Sequence, residues 1–237
     1  MRDEIIRLSS TDSTHKFALK LAERKNRREY IIVADVQTNG VGRCGRRWTS
    51  VRGNLFMSAI KKLPKKENPG RLSLTIACAV HEALSVYVPN DLYLHWPNDI
   101  YYKKHKLSGI LISMADDWAV ISAGVNVNSN PGIINAISLK EICGEDIPTE
   151  KVLGNITEKL NLRLKELHVF GFGGIKNYWL RYINEINRTI TVRNGSDSIT
   201  GILEGIDDDG RLILERKCGK TVIFGGDIFE NTKGSEL

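Results

Sequence analysis

Apolar positions along this chain fall into short strand-like runs and longer helical stripes. Residues 5–8 form a brief apolar run that predicts a strand, followed by Ser9-Ser10-Thr11-Asp12-Ser13-Thr14. That polar cluster is rich in helix-capping types, and the helix it opens has an apolar face at Phe17, Ala18, Leu21 and Ala22. Residues 30–36 and 54–60 predict two buried strands, separated by a long loop over 37–53. Helical spacing over 71–88 sets Leu72, Ile76, Ala79, Val80, Ala83 and Leu84 on one side. Three strands are predicted next, at 92–96, 106–114 and 118–126, the last two joined by a turn at Ala115-Asp116-Asp117. Helices are predicted at 149–167 and 174–186, the first with Val152, Ile156, Leu160, Leu164 and Leu167 on its stripe.

The pattern changes near Asn187. Over 189–229 the runs are short and β-rich, broken by Asn194-Gly195, Asp207-Asp208-Asp209-Gly210 and Cys218-Gly219-Lys220. Turns at that spacing predict a small β-barrel of about five strands. Two domains are expected, at residues 1–187 and 188–237.

Composition narrows the class. At 237 residues, with 41% hydrophobic and 26% charged, the balance is that of a soluble globular protein. The longest apolar run, 74–80, contains Thr75 and Cys78 and falls far short of a membrane span, so no membrane partner is expected. Met1-Arg2-Asp3-Glu4 leads into no apolar signal core. Cys44, Cys78, Cys143 and Cys218 form no CxxC pair, which fits a reducing, cytoplasmic compartment and argues against a zinc site or other protein-ligated metal. A net charge of +6 suits nucleic acid, an acidic protein or a phosphate-bearing substrate, and the densest basic stretches (43–52, 61–66 and 103–106) are loops.

Three clusters carry candidate chemistry. Gly40-Val41-Gly42-Arg43-Cys44-Gly45 has the spacing of a dinucleotide-binding turn, but the following Arg46-Arg47-Trp48-Thr49-Ser50 does not open the helix such a turn needs. Arg43, Arg46 and Arg47 instead suit a grip on phosphate, with Trp48 as a flat apolar face. A solvated basic loop is the alternative. In the second cluster, His95-Trp96-Pro97-Asn98-Asp99 closes a strand and Lys106-Leu107-Ser108-Gly109-Ile110 begins another. This arrangement is either a hairpin with polar tips or a carboxylate, an amide and an ammonium gathered around a reacting group. The third cluster, Gly124-Val125-Asn126-Val127-Asn128, places an asparagine at a strand end, as a turn residue or a reader of adenine. Cys44 has no placed histidine partner and His81 sits in a helix, so neither is expected to act in catalysis.

Taken together, the 37–48 loop, the 96–99 and 106–110 blocks and 124–126 resemble the biotin–protein ligases in order and spacing. The β-rich segment with Gly205-Ile206-Asp207 and Gly226-Asp227-Ile228 is similar to that family's small C-terminal domain. The resemblance covers most of the chain and is weakest over 128–186. It implies an α+β fold: a mixed, mostly antiparallel sheet with flanking helices, like class II synthetases, plus an SH3-like barrel. It also implies ATP, biotin and Mg²⁺ as reactants or cofactors, biotinyl-AMP as intermediate, and a lysine of a biotin carboxyl carrier protein as acceptor. By motif position, Ser13, Thr14, Gln37, Gly40 and Gly109 would bind biotin. Arg43 and Lys106 would hold the carboxylate and α-phosphate, and Trp48, Asn98 and Asn126 would contact the nucleotide. Arg46 would belong to a covering loop, and Asp99 would stand near the incoming lysine.

Some positions depart from the family's habit. Val41 stands where Arg is usual, His15 where Asn is common, and His95 where Lys is frequent. Phe229-Glu230-Asn231 occupies the place of an Arg that reaches adenine, which leaves nucleotide contact from the small domain open. The chain begins at the catalytic strand, so a DNA-binding repressor role is not expected; a homodimer is possible. The rival readings are a lipoate–protein ligase of the same fold and a basic nucleic-acid-binding protein. The second is disfavoured because aromatic and basic residues do not alternate on a strand face.

Overall fold

The structure is a computed structural model that describes residues 4–24, 28–63 and 67–230, with Glu230 described through its backbone. Met1-Arg2-Asp3, residues 64–66 of the 61–66 basic stretch, and Asn231 lie outside the described residues.

The chain opens with β1 (Glu4–Leu8), α1 (Thr14–Ala22), β2 (Tyr30–Ala34) and β3 (Leu55–Lys62). Next come α2 (Pro69–Leu84), β4 (Leu92–His95), β5 (Asp99–Tyr102), β6 (His105–Ala115) and β7 (Trp118–Val125). The helices α3 (Leu139–Cys143), α4 (Thr149–Phe170) and α5 (Gly173–Tyr182) follow. These elements form a seven-stranded sheet in the order β1-β2-β3-β7-β6-β5-β4. Among the described strand pairings of this sheet, β1–β2 alone is parallel. The remaining strands, β8 (Thr189–Asn194), β9 (Asp197–Ile206), β10 (Leu212–Arg216), β11 (Gly219–Ile223) and β12 (Asp227–Glu230), form a five-stranded antiparallel sheet in the order β11-β10-β9-β8-β12. The expected α+β architecture is therefore observed, with a mixed sheet, flanking helices and a small C-terminal sheet.

Local chemistry sets the helix starts. Ser13 caps α1 by accepting from the Lys16 amide, and Asn68 caps α2 by accepting from the Gly70 and Arg71 amides ahead of Pro69. Strand alternation then sorts the side chains. Leu55, Met57 and Ala59 of β3 and Ala119, Ile121 and Ala123 of β7 join α2, α4 and α5 in the larger core. On the opposite face, Ile60, Val120 and Trp118 pack with Ala18 and Ala22 of α1. Trp179 of α5, 1% exposed, anchors the larger core.

The small sheet shares that core through Ile190, Val192, Leu203, Leu212 and Leu214. Polar contacts add to the seam: Trp96 Nε1 donates to Gly210 O (3.2 Å), and Arg71 reaches Asp208 O and the Asp209 carboxylate.

Three differences from the sequence pattern stand out. The strand expected over 92–96 ends at His95, and after a turn through the cis Trp96–Pro97 peptide a further strand, absent from the sequence pattern, starts at Asp99. The helix expected over 174–186 ends at Tyr182, because Ile183 turns extended (φ −83°, ψ 138°) and bridges to Leu94. The short α3 lies in a stretch without helical periodicity and is held by a Ser138/Glu141 capping box. No helix among the described residues is long and apolar enough to cross a membrane.

Candidate active site

The 37–50 loop folds back on itself as a small hairpin. Trp48 N donates to Gly40 O (2.9 Å) and Gly42 N to Arg46 O (2.7 Å), with Arg43–Gly45 as a single tight turn at the tip. Cys44 (φ 54°) and Gly45 (φ 72°) are left-handed there, and Arg46 returns to extended backbone (ψ 145°). No helix follows Gly45, so the dinucleotide-turn alternative is excluded. Gly40 serves close approach: a Cβ there would sit 2.6 Å from Trp48 O.

The indole of Trp48 lies on a glycine floor. Gly109 and Gly124 are direct register partners of β6 and β7, and a Cβ on them would meet Trp48 ring atoms at 2.8 and 2.5 Å. Lys106 Nζ stands 5.6 Å from the centroid of the same ring, while Trp48 Nε1 is buried without a hydrogen-bond partner.

Charged groups converge at the rim. Lys106 Nζ donates to Asp99 Oδ2 (2.5 Å), and Asp99 Oδ1 is buried without a partner. Arg43 donates to Asn98 Oδ1 (2.9 Å) and to Gly226 O (3.4 Å), and lies 3.6 Å from Asp227 Oδ1. Arg46 pairs with the same Asp227 oxygen at 3.0 Å. The small C-terminal sheet therefore touches the arginine loop directly. Behind Asp99, His95 pairs with Glu185 at 2.6 Å. Burial pulls the His95 pKa down, but the Glu185 hydrogen bond and charge, with Asp99 further off, leave it above the ordinary histidine value.

The opposite end of the cavity is polar and uncharged. Thr14 donates through its backbone N (2.8 Å) and its hydroxyl (3.1 Å) to Gln37 Oε1, and Gln37 Nε2 donates to Ser50 Oγ (3.0 Å). Ser58 donates to Thr14 Oγ1 (2.9 Å) and lies 2.7 Å from Ser122 Oγ. His15 Nδ1 is 2.7 Å from Ser122 Oγ, and Nε2 is 2.9 Å from Ser113 Oγ.

One cavity, of about 150 Å³, thus gathers Ser13, Thr14, Gln37, Arg43, Arg46, Trp48, Asn98, Asp99, Lys106 and Gly109. Gly40 and Asn126 are not among its lining residues. Asn126 is 2% exposed, and its Nδ2 donates to Ile137 O (3.1 Å) and Lys106 O (3.4 Å), tying the strand bearing Lys106 to the 126–139 connection. Its Oδ1 is buried without a partner. Ser50, Ser58, Ser113 and Ser122, and the pairing of Asp227 with the arginine loop, belong to none of the sequence motifs. For Ser58, Ser113 and Ser122 the available signal was a serine in the middle of an otherwise apolar strand; Ser50 and Asp227 carry no such signal. Arg43, Arg46, Arg47 and Lys106 face a single lining carboxylate, Asp99, among the described residues. No group of three or more His, Cys, Asp or Glu side chains among the described residues is placed to hold a metal ion.

Two buried histidines make the fold acid-sensitive. Burial holds both His15 and His81 down at about 4. His81 lies away from the cavity, bonded to Tyr178 OH and Leu92 O, which supports its structural reading. Both stay neutral in the folded state, so the unfolded chain binds more protons below the ordinary value of 6.5. Their contribution is complete above that pH and is lost as pH falls through about 4, on the order of 3 kcal/mol each. Urea unfolding at pH 7, 5.5 and 4 checks this: stability drops across the interval, and the drop is shallower in His15→Asn. An equal slope in the two proteins contradicts the assignment.

Residues 7–128 match the Biotin/lipoate A/B protein ligase family, and residues 186–229 match the Biotin protein ligase C terminal domain. The bifunctional ligase/repressor BirA of Bacillus subtilis (strain 168) is 33% identical over 230 residues, covering 91% of this chain and 70% of that protein. The biotin–[acetyl-CoA-carboxylase] ligase of Paracoccus denitrificans is 30% identical over 238 residues, covering 94% of this chain and 98% of that protein. Among solved structures, the biotin protein ligase of Aquifex aeolicus in complex with biotin and ATP superposes with a TM-score of 0.85 at 29% identity, covering 96% of this chain and 98% of that one. From the matched domains, these relatives and the shared fold, the chain belongs to the biotin protein ligase family.

Proposed function

We propose that the cavity between the arginine loop and the β6–β7 floor is where this ligase activates biotin with ATP, before passing it to a lysine of a biotin carboxyl carrier protein. One observation carries the reading. The cavity is cationic at one end, with Lys106 and three arginines, and neutral and hydrogen-bonding at the other, with Thr14, Gln37 and Ser122. A ligand with a carboxylate at one end and a cyclic urea at the other matches both ends.

In the first step a biotin carboxylate oxygen attacks the α-phosphorus of ATP. The bond to the bridging oxygen breaks, and pyrophosphate leaves. Bringing these anions together requires fixed positive charge, which Arg43 and Lys106 supply from rigid neighbours. In the second step the acceptor ε-amine attacks the acyl carbon of biotinyl-AMP, an amide forms and AMP leaves. Asp99, with one oxygen unpartnered, is placed to take the amine proton. Ser13, Thr14 and Gln37 hold the ureido ring, and Gly109 acts on the ligand by letting the Trp48 ring lie close against β6. Trp48 offers its ring to the adenine. The described residues build no cage for Mg²⁺, which we assign to the triphosphate itself as its counter-ion.

The C-terminal sheet is taken as an SH3-like domain beginning at about residue 188, and its Asp227 as the residue that seats the covering loop. Location in the cytoplasm and a homodimer built on an exposed sheet edge such as β1 are further expectations.

Arg46→Gly removes the Asp227 contact and frees the loop, so biotinyl-AMP escapes faster in a rapid-dilution assay. Unchanged retention separates Arg46 from that role.

The activity is tested by mass spectrometry of the protein incubated with ATP, Mg²⁺ and either biotin or lipoate, without acceptor. Retained biotinyl-AMP supports the reading. Lipoyl-AMP alone moves the substrate to the sister activity, and no adduct from folded protein overturns the proposal.

A further inference from the structure

Behind the neutral end of the cavity runs a buried chain of hydrogen bonds whose direction is set from one end. At one end stands a backbone amide, which can only donate. Thr14 N donates to Gln37 Oε1 at 2.8 Å, so the Gln37 side chain presents its oxygen to Thr14 and its nitrogen to Ser50. The Thr14 hydroxyl proton also goes to that oxygen, so Thr14 Oγ1 receives the Ser58 proton. With its own proton spent, Ser58 accepts from Ser122 across their 2.7 Å contact. Ser122 in turn accepts from His15 Nδ1, at 2.7 Å. His15 is therefore the Nδ1–H tautomer, and its bare Nε2 accepts from Ser113 Oγ at 2.9 Å. Burial keeps the ring neutral at physiological pH, consistent with one donor and one acceptor nitrogen.

We propose that His15 is a positioning residue for ligand recognition: as the Nδ1–H tautomer it donates to Ser122 and holds that hydroxyl, whose own proton goes to Ser58, with its remaining lone pair toward the cavity, so that Ser122 and Thr14 together offer acceptors to ligand N–H groups. Thr14 and Ser122 both line the cavity, and both have their protons committed to protein partners. Each keeps one free lone pair and acts as an acceptor. Ser13 accepts from the Lys16 amide, and the described hydrogen bonds leave its proton uncommitted for a carbonyl. Two acceptors beside one donor fit the N–H and C=O edges of a cyclic urea. A ring presenting acceptors in place of N–H meets like against like and leaves buried lone pairs unpaired, a loss of affinity rather than of chemistry. An acceptor-only side chain at position 15 would oppose the direction that the Thr14 amide sets and would take the anchoring donor from Ser122.

The inference rests on the proposed biotin site, and the test separates the two. Nitrogen NMR of the ¹⁵N-histidine-labelled protein reads the tautomer directly, with the His15 signal assigned by its loss in His15→Asn. The expected result is a protonated Nδ1 and a bare Nε2; a protonated Nε2 overturns the proposal whatever the ligand is. Steady-state kinetics supply the second reading. His15→Leu is expected to raise KM for biotin about tenfold, the size of one net hydrogen bond, with kcat and KM for ATP nearly unchanged. His15→Asn, whose amide can donate to Ser122, is expected to restore the biotin KM. A folded His15→Leu with the original biotin KM overturns the positioning role. If His15→Leu fails to fold, the tautomer in the unsubstituted protein decides. An unsubstituted protein that takes no biotin overturns the site reading and, with it, the recognition role, while the tautomer still reports whether the chain runs as described.

Discussion

Lys106→Ala is expected to slow biotinyl-AMP formation by about 10²–10³-fold, the loss found when one preorganised charge-stabilising group is removed. The magnitude follows from how firmly the ammonium is held. Lys106 opens β6 with its backbone bonded to Asn135 and Ile137, its stem passes Gly109, and its Nζ is fixed by Asp99 and faces the Trp48 ring. A group ordered before the substrate arrives needs no rearrangement as charge develops on the α-phosphate. Its loss therefore appears in the chemical step more than in binding. Single-turnover pyrophosphate release, at saturating biotin and ATP, is the measurement. A rate within threefold of the parent removes Lys106 from the reacting centre.

Gly124→Ala is the second large effect. Its Cβ would lie 2.5 Å from Trp48 Cε2, a distance that real contacts do not reach, and the ring has Gly109 on the other strand below it and Lys106 nearby. Overpacking of this kind costs about 1–3 kcal/mol, and the indole is the part that can yield. Displacing it takes the flat face away from the site. Biotin and ATP are expected to bind roughly 10- to 100-fold more weakly, with a changed tryptophan fluorescence spectrum. Gly42→Ala is the control, since its Cβ would meet Arg46 O at an ordinary 3.5 Å and its φ of −118° suits any residue. Unchanged affinity and fluorescence in Gly124→Ala would mean that the glycine floor does not seat the ring.

Much of the fold was legible because the apolar periodicities were strong. The strands at β3 and β7, and helices α2 and α4, emerge within a few residues of where the sequence pattern puts them. Strand β5 was hidden because Asp99–Tyr102 carries little period-two contrast and follows a proline turn. The late part of the 174–186 helix failed for a tertiary reason: residues 183–186 leave the helix for a bridge to Leu94 and the pairing of Glu185 with His95. At the site, the motif residues stood out by chemical type, and most of them meet in one cavity. Gly40 and Asn126 do not line it, since motif position cannot tell a residue that faces a ligand from one that supports its neighbour. Asp227 and the strand serines escaped because their hydrogen-bond partners lie 44 to 181 positions away, a relation set by sheet register and domain packing.

The resident carboxylates have a consequence for turnover. Lys106 is neutralised by Asp99, and Arg43 and Arg46 share Asp227, before any substrate arrives. An incoming anion on the proposed pathway therefore undergoes ion exchange: it displaces a placeholder counter-ion rather than entering a field of bare cations. Its affinity reflects the difference between two ion pairs, and weak retention of AMP after transfer is the expected outcome. In the proposed mechanism the same exchange releases Asp99 from Lys106 when a phosphate takes the ammonium, so nucleotide binding frees the carboxylate ahead of the amine's attack.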